Sequence, residues 1–259
     1  MNSSFAFLGL PTNTSAQGAD VDRLIIAVHC LMFLLFAGWL CYFVYVLIRF
    51  NKKRNPKADY AGVTNHASTY VEGIVALIEA GLLIGLALPV WSRTVEHFPS
   101  EKESTVINVV AQQFRWNAWY PGTNGVFVKA DAKLITGDNA LGFDKKDPNY
   151  KNNFVVSASD FIVPVDKPVI AYISSLDVIH SFACRPLRTM QDAIPGMRIP
   201  LHFTPAKIGT YQINCAQLCG SGHYTMRGTI KVVSAEAYQK WVASKSVATA
   251  TAGAGAGYE

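Results

Sequence analysis

Apolar residues are unevenly distributed along the chain. Residues 24–48 form a run of 25 without a charged side chain, and residues 73–91 form a run of 19 interrupted only by Glu79. At about 1.5 Å of rise per helical residue, the first run exceeds the ~30 Å hydrocarbon core of a bilayer and the second approaches it. A buried core helix is the alternative for the second run, but the first is too long and too apolar for that. Together they predict a transmembrane helical hairpin over residues 24–91. From Thr105 to about Ser234 the pattern changes to short β-branched and aromatic runs, at 105–111, 168–174, 198–203, 210–214 and 229–233, separated by Gly, Pro, Asn and Asp. That spacing predicts an all-β sandwich or barrel over residues 105–234. Residues 129–160 are polar and turn-rich, with Asp138-Asn139, Leu141-Gly142 and Asp147-Pro148, and read as an excursion from it. A polar lead (1–23) and a charged linker (92–104) complete the organisation with a C-terminal segment (235–259), expected to be a short helix over 235–245 and a disordered Ala/Gly-rich tail.

Charge orients the hairpin. Arg49, Lys52, Lys53, Arg54 and Lys57 follow the first run, so the positive-inside bias places residues 49–69 in the cytoplasm and both the N-terminus and the β domain outside. No Lys or Arg precedes Arg23, and the apolar run is longer than a secretory signal requires. The net charge of +5 is spread along the chain, without the dense basic patch of a nucleic-acid binder. A lone carboxylate such as Glu79 is costly in a bilayer and is expected to face protein.

Two of the five cysteines, Cys30 and Cys41, lie in the first apolar run, where Cys behaves as a small hydrophobe. The informative string is Cys215-Ala-Gln-Leu-Cys219-Gly-Ser-Gly-His223-Tyr-Thr-Met226. Two thiols, an imidazole and a thioether within twelve residues form a soft donor set that selects copper over harder cations. One Cys with two His and a weak Met would make a mononuclear site. A second Cys four residues on lets both sulfurs bridge two copper ions and share one odd electron between them. A second imidazole must come from elsewhere, and His180 in Asp177-Val-Ile-His180-Ser-Phe is the candidate. A Cys215–Cys219 disulfide or a Cys/Cys/His zinc site are the alternatives that the residues leave open. His29 reads as a satisfied intramembrane histidine, and His66, His97 and His202 have no ligand pattern around them.

The hairpin, the Asp177 to Phe182 string, Gln191-Asp-Ala-Ile-Pro-Gly196 and the Cys215 to Met226 motif together resemble the cytochrome c oxidase subunit II family over residues 20–234. The resemblance implies a cupredoxin domain, a Greek-key β-barrel or sandwich, holding the two copper ions of a CuA centre on the outer side of a bacterial inner membrane. It implies bridging by Cys215 and Cys219, one copper each for His180 and His223, and weak ligation by Met226 and the backbone carbonyl of Gln217. It further implies a cytochrome c, or a cytochrome c domain of a partner complex, as electron donor. Subunits I and III would be partners, and oxygen would be reduced to water with proton pumping. Glu72 matches the acidic residue at the mouth of a proton path into subunit I.

Four departures from the family pattern modify these expectations. Gln217 stands where a Glu usually binds an interface magnesium or manganese ion, and a neutral amide brings that ion no charge. Phe114 replaces the Trp that receives electrons, leaving Trp116 and Trp119 as further aromatic candidates. Glu79 replaces a frequent Pro. The docking face is poor in acid, with 17 Lys and Arg against 13 Asp and Glu in residues 92–259, and Asp177 is one familiar acidic position that remains. The absence of Cys-x-x-Cys-His argues against a fused haem c domain. Of the competing classes, a membrane-anchored copper-delivery protein would use a similar Cys pair with His, but on an exposed and exchangeable site. Nitrous oxide reduction would need a large additional catalytic domain.

Overall fold

The computed structural model describes residues 9–58, 60–62, 64–157 and 161–254. The first eight residues of the expected lead and the last five of the expected tail lie outside them. The chain divides into two compact units, Ala19–His97 and a second made of Met1–Gly18 with Phe98–Glu259.

The first unit is helical. Helix α1 (Gly18–Arg49) has 32 residues and contains an 18-residue stretch of mean hydropathy 2.4, and a second helix runs for 29 residues from Ala67 to Val95 with a corresponding stretch of 2.2. Both are long and apolar enough to cross a bilayer. Each extends past its apolar run because backbone hydrogen bonding continues into polar sequence. At the start of α1, Asp20 pairs with Arg23 at 2.8 Å and with Arg93 at 3.1 Å, an acid placed where the helix dipole favours it. The second helix is composite: α2 (Ala67–Leu82), a π turn (Leu83–Ala87) and α3 (Leu88–Val95). Pro89 has no N–H to donate and its ring crowds the carbonyl four residues back, so the wider turn just before it has a local cause. Glu79, with Leu24, Val28, Leu35, Leu82 and Leu83 among its neighbours, lines a cleft of about 470 Å³ between the helices.

The second unit is a two-sheet β structure. Its strands are β1 (Thr105–Gln112), β2 (Arg115–Tyr120), β3 (Phe154–Ser157), β4 (Phe161–Pro164), β5 (Val169–Ser175), β6 (His180–Cys184), β7 (Thr189–Ala193), β8 (Ile199–Phe203), β9 (Gly209–Cys215) and β10 (Arg227–Val233). One sheet has the order β3-β2-β1-β5-β8 and the other β4-β10-β9-β6-β7. The β1–β5 and β4–β10 pairs are parallel and the others antiparallel, so the chain crosses between sheets as a sandwich requires. Inward side chains such as Ile107, Val109, Trp116, Phe182, Ile213 and Ile230 fill the space between them. Tyr120 is buried among these, and its hydroxyl donates to the Ile162 carbonyl and accepts from the Ile162 N–H, both at 3.0 Å. One side chain of the first sheet thereby satisfies both backbone groups of a residue in the second.

Two segments differ from the sequence expectations, and a third has partners that the sequence did not announce. Within the expected excursion, Phe154–Ser157 returns to the first sheet as β3, paired with β2, because its alternating burial matches the two-residue period of a strand. The C-terminal helix α4 (Ala235–Ala254) has 20 residues, running past the short helix expected over 235–245 into the segment expected to be a disordered tail. Tyr238, Trp241 and Val242 fall on one face of it, and Trp241 packs edge-on against Tyr120 and Phe154 at 4.9 and 5.3 Å. The N-terminal lead is also bound. Thr14 and Ser15 are buried, Thr14 N–H donates to the Pro186 carbonyl, and Ala206 N–H donates to the Thr14 carbonyl, both at 2.8 Å.

Candidate metal centre

The metal-ligating side chains converge at one end of the second sheet. Cys215 is the last residue of β9, residues 216–226 form the loop to β10, and His180 is the first residue of β6. Strands β6 and β9 are neighbours, with Phe182 opposite Cys215, and Ala216 N–H continues the pairing by donating to the Ser181 carbonyl at 3.0 Å. This pairing carries His180 to the cysteine loop from 35 residues away in sequence.

The donor atoms are closely spaced. The sulfurs of Cys215 and Cys219 are 3.8 Å apart. His180 Nδ1 lies 4.0 Å from the Cys215 sulfur, and His223 Nδ1 lies 3.6 Å from the Cys219 sulfur. Met226 Sδ is 3.8 Å from Cys219, and the Gln217 carbonyl oxygen is 3.2 Å from Cys215. Ligands held about 2.0–2.3 Å from a shared metal stand at such separations from one another. Cys215 and Cys219 are free thiols rather than a disulfide. The residues present therefore fit a thiophilic metal: the donor atoms of His180, Cys215 and Cys219 all lie within 4.8 Å of one another, and the His223 imidazole, the Met226 thioether and the Gln217 carbonyl each border one of the two sulfurs. Burial, followed by the neighbouring Cys215 sulfur, pushes the Cys219 thiol up to about 11, so a metal must displace its proton on binding.

Asp177 orients the distal imidazole. His180 is fully buried, and its Nε2 donates to Asp177 Oδ1 at 2.9 Å, which turns the Nδ1 lone pair toward the sulfurs. Burial disfavours the Asp177 carboxylate, but the Gln113 N–H, the His180 ring and the Val178 N–H outweigh it and hold the carboxyl below its ordinary range. Asp177 is thus turned toward the metal ligands, a role missed in the sequence, where its spacing three residues before His180 was the available signal. The Trp116 ring stands edge-on to His180 with centroids 6.1 Å apart.

The remaining sequence candidates are dispersed. Trp116 has no exposed surface, so it touches no docking partner directly. Trp119 is engaged with Phe127 and Phe143 beside the polar excursion, and its Nε1 donates to Asn153 at 2.7 Å. Phe114 is half-buried against the metal loop, its ring over Gly222. Glu72 is exposed on α2, in the other unit. The fifth cysteine, Cys184, ends β6 with no exposed surface, and burial pushes its thiol up to about 12.

Asp177→Asn should loosen His180 by replacing a charged acceptor with a neutral amide. The affinity of the site for a thiophilic metal should fall about 10- to 100-fold, read by chelator competition. Unchanged affinity would mean that strand pairing and Trp116 hold the imidazole unaided.

The description "Cytochrome C oxidase subunit II, periplasmic domain" matches residues 105–233. The chain is 27% identical to the alternative cytochrome c oxidase subunit 2 of Bradyrhizobium diazoefficiens, across 80% of this chain and 73% of that protein. It is 32% identical to the probable cytochrome c oxidase subunit 2 of Rickettsia bellii, across 78% of this chain and 71% of that protein. The crystal structure of the periplasmic domain of subunit II of cytochrome oxidase from Bradyrhizobium japonicum aligns with 58% of this chain and 98% of its own, at 27% identity and a TM-score of 0.43. With two apolar helices, a two-sheet β domain and a matching sequence over most of its length, the chain belongs to the cytochrome c oxidase subunit II family, membrane-anchored subunits of the haem–copper oxidase complex.

Proposed function

We propose that this chain holds two copper ions and passes electrons from a cytochrome c, or a cytochrome c domain of a partner complex, to subunit I of a bacterial oxidase. Subunit I would reduce oxygen to water with proton pumping. The observation that carries this reading is the convergence of donors on the Cys215–Cys219 pair, whose sulfurs are 3.8 Å apart. Cys215 and Cys219 would bridge the ions, with His180 and His223 each completing one. Met226 and the Gln217 carbonyl would be weak outer ligands. Bound copper supplies reversible one-electron exchange. Cys219 and Met226, 5% and 1% exposed, keep water from one side of the site, and Asp177 holds His180 in one orientation. Such restraint limits the rearrangement that accompanies electron transfer.

A single zinc on His180, Cys215 and Cys219 would leave the Met226 thioether and Gln217 carbonyl facing the same sulfurs without a role. A delivery protein would need an exchangeable site, and His180 is fully buried. The Gln217 side chain brings no charge, and no magnesium or manganese ion is assigned through it. We place the β domain on the periplasmic side of the inner membrane, with residues 49–69 in the cytoplasm, from the distribution of Lys and Arg. Subunits I and III are the proposed membrane partners.

The reconstituted full chain should bind two copper ions and show a delocalised mixed-valence spin signal, and Cys219→Ser should abolish that signal because a hydroxyl bridges copper poorly. One zinc and no copper after reconstitution would defeat the assignment.

Glu72 is proposed to admit protons from the cytoplasmic side, an ionisable group at the membrane boundary being a candidate for such a path. In the assembled oxidase, Glu72→Gln should slow oxygen consumption while leaving copper reduction fast. Unchanged turnover would make Glu72 an interfacial anchor only.

Large apolar side chains stand exposed on the metal loops: Leu218 and Tyr224 at 77% and 76%, with Val178 and Ile179 at 38% and 44%. The Asp177 carboxylate is occupied by His180 and by the N–H groups of Gln113 and Val178. Docking of the donor is therefore assigned mainly to apolar contact, with Phe114 nearest in position to the expected route. Between 0.01 M and 0.1 M salt the Debye length falls from about 30 to about 10 Å. The second-order rate of copper reduction by the native donor should change little across that range, and a steep decline would restore charge steering.

A further inference from the structure

Gln113 and Phe114 form the turn between β1 and β2, in the sheet opposite the one that carries the metal ligands. The turn touches both ligand loops. Its Gln113 backbone N–H donates to Asp177 Oδ2 at 2.7 Å, and Asp177 Oδ1 accepts from His180. The Gln113 side-chain amide donates to the Cys219 carbonyl at 2.8 Å. The Phe114 ring lies directly over two glycines of the cysteine loop: a Cβ on Gly222 would fall 2.4 Å from its Cδ2, and one on Gly220 would fall 3.1 Å from its Cζ. Gly220 also has a φ of +130°, which L side chains rarely adopt.

We propose that the Gln113–Phe114 turn is a positioning brace that ties the His180 loop and the cysteine loop to the opposite sheet, with Gly220 and Gly222 kept bare to receive the Phe114 ring. The β6–β9 pairing places the two loops side by side but leaves their outer portions, residues 176–179 and 216–226, without ladder hydrogen bonds to one another. The brace supplies that missing restraint through three contacts carried by one turn: the seated Phe114 ring fixes the turn, and the fixed turn holds the Gln113 bonds to Asp177 and Cys219. A site assembled before the metal arrives loses less freedom on binding, so it holds the metal longer. Replacing the ring therefore disturbs donor spacing as well as any electronic path through it. The brace itself is a property of the metal-free protein; only its effect on copper rests on the proposed function.

The test uses the full chain in detergent, with hydrogen exchange read by mass spectrometry on the metal-free protein and copper release to a chelator read on the reconstituted protein. Phe114→Ala and Gly222→Ala should each speed exchange about tenfold in both loops, with the strands unchanged. Combining them should do no more than either alone, because both remove the same contact. Phe114→Leu, which keeps apolar volume over the glycines, should recover most of the protection. Gln113→Ala removes only the bond to the Cys219 carbonyl and should loosen residues 216–226 alone. Copper release should quicken about tenfold in the Phe114→Ala and Gly222→Ala proteins. Additive effects of the pair, acceleration confined to one loop in Phe114→Ala, or unchanged exchange would each overturn the brace. Should Phe114→Ala unfold the domain, Gly222→Ala and Gln113→Ala decide the matter. Failure of the wild-type chain to take up copper would count against the proposed function, while the metal-free exchange would still judge the brace.

Discussion

Phe182 and Cys215 face one another across two antiparallel strands, and the metal centre depends on that register. Because His180 lies two residues before Phe182, the pairing delivers its imidazole to the far side of Cys215, with Nδ1 4.0 Å from the sulfur. Slipping the register by one residue would turn every side chain of the strand to the other face. His180 would then leave the interior, and Phe182 would leave the core. The packing that fills the sandwich therefore also sets the donor spacing, so a change that weakens the core around Phe182 or Trp116 reaches the site directly.

The restraint is layered outward from this pairing. Trp116 and Phe182 meet edge-on at 5.5 Å in the core, and Trp116 stands edge-on to His180 as well. Asp177 fixes the remaining freedom of the imidazole by accepting from Nε2. Its own carboxylate is held by two backbone N–H groups, from Gln113 and Val178. Asp177 and His180 are thus each committed to partners that point them, the condition under which a low-dielectric site strengthens its hydrogen bonds. Leu218, Tyr224, Val178 and Ile179 stand outward at this end, so the surface beside the buried donors offers apolar contact area.

The membrane-spanning unit works under a different constraint. With no water available in hydrocarbon, its backbone satisfies itself by helix formation, and apolar side chains can face outward along both helices. That is why almost none of the large hydrophobics of α1 and α2 are buried, whereas those of the β unit are. The same reasoning makes Glu79 conspicuous: it borders the cleft between the helices, the one lining residue there with a charged side chain.

What the sequence determined by itself was whatever depends on composition and local spacing. Two long apolar runs, the second broken only by Glu79, pointed to membrane helices, turn-separated β-branched runs pointed to a sandwich or barrel, and a dense soft-donor string at residues 215–226 marked the chemistry. The helix ends, the return of residues 154–157 to the sheet and the length of α4 were less legible. Helix ends follow backbone hydrogen bonds that run on past the apolar pattern, whereas the return of β3 and the seating of α4 depend on distant partners, β2 for the one and Tyr120 and Phe154 against Trp241 for the other. The binding of Thr14 and Ser15 to residues 186–187 and 204–206 was illegible for the same reason: a polar lead acquires partners only once the strands it crosses exist. At the centre, donor types were readable from the string, but geometry was not. Which nitrogen of His180 faces the sulfurs, why Asp177 points inward and why Gly222 is bare follow from β6–β9 pairing and from a ring carried by the opposite sheet. Residues separated by 35 to more than 100 positions meet only through tertiary structure, and no local periodicity records their distance.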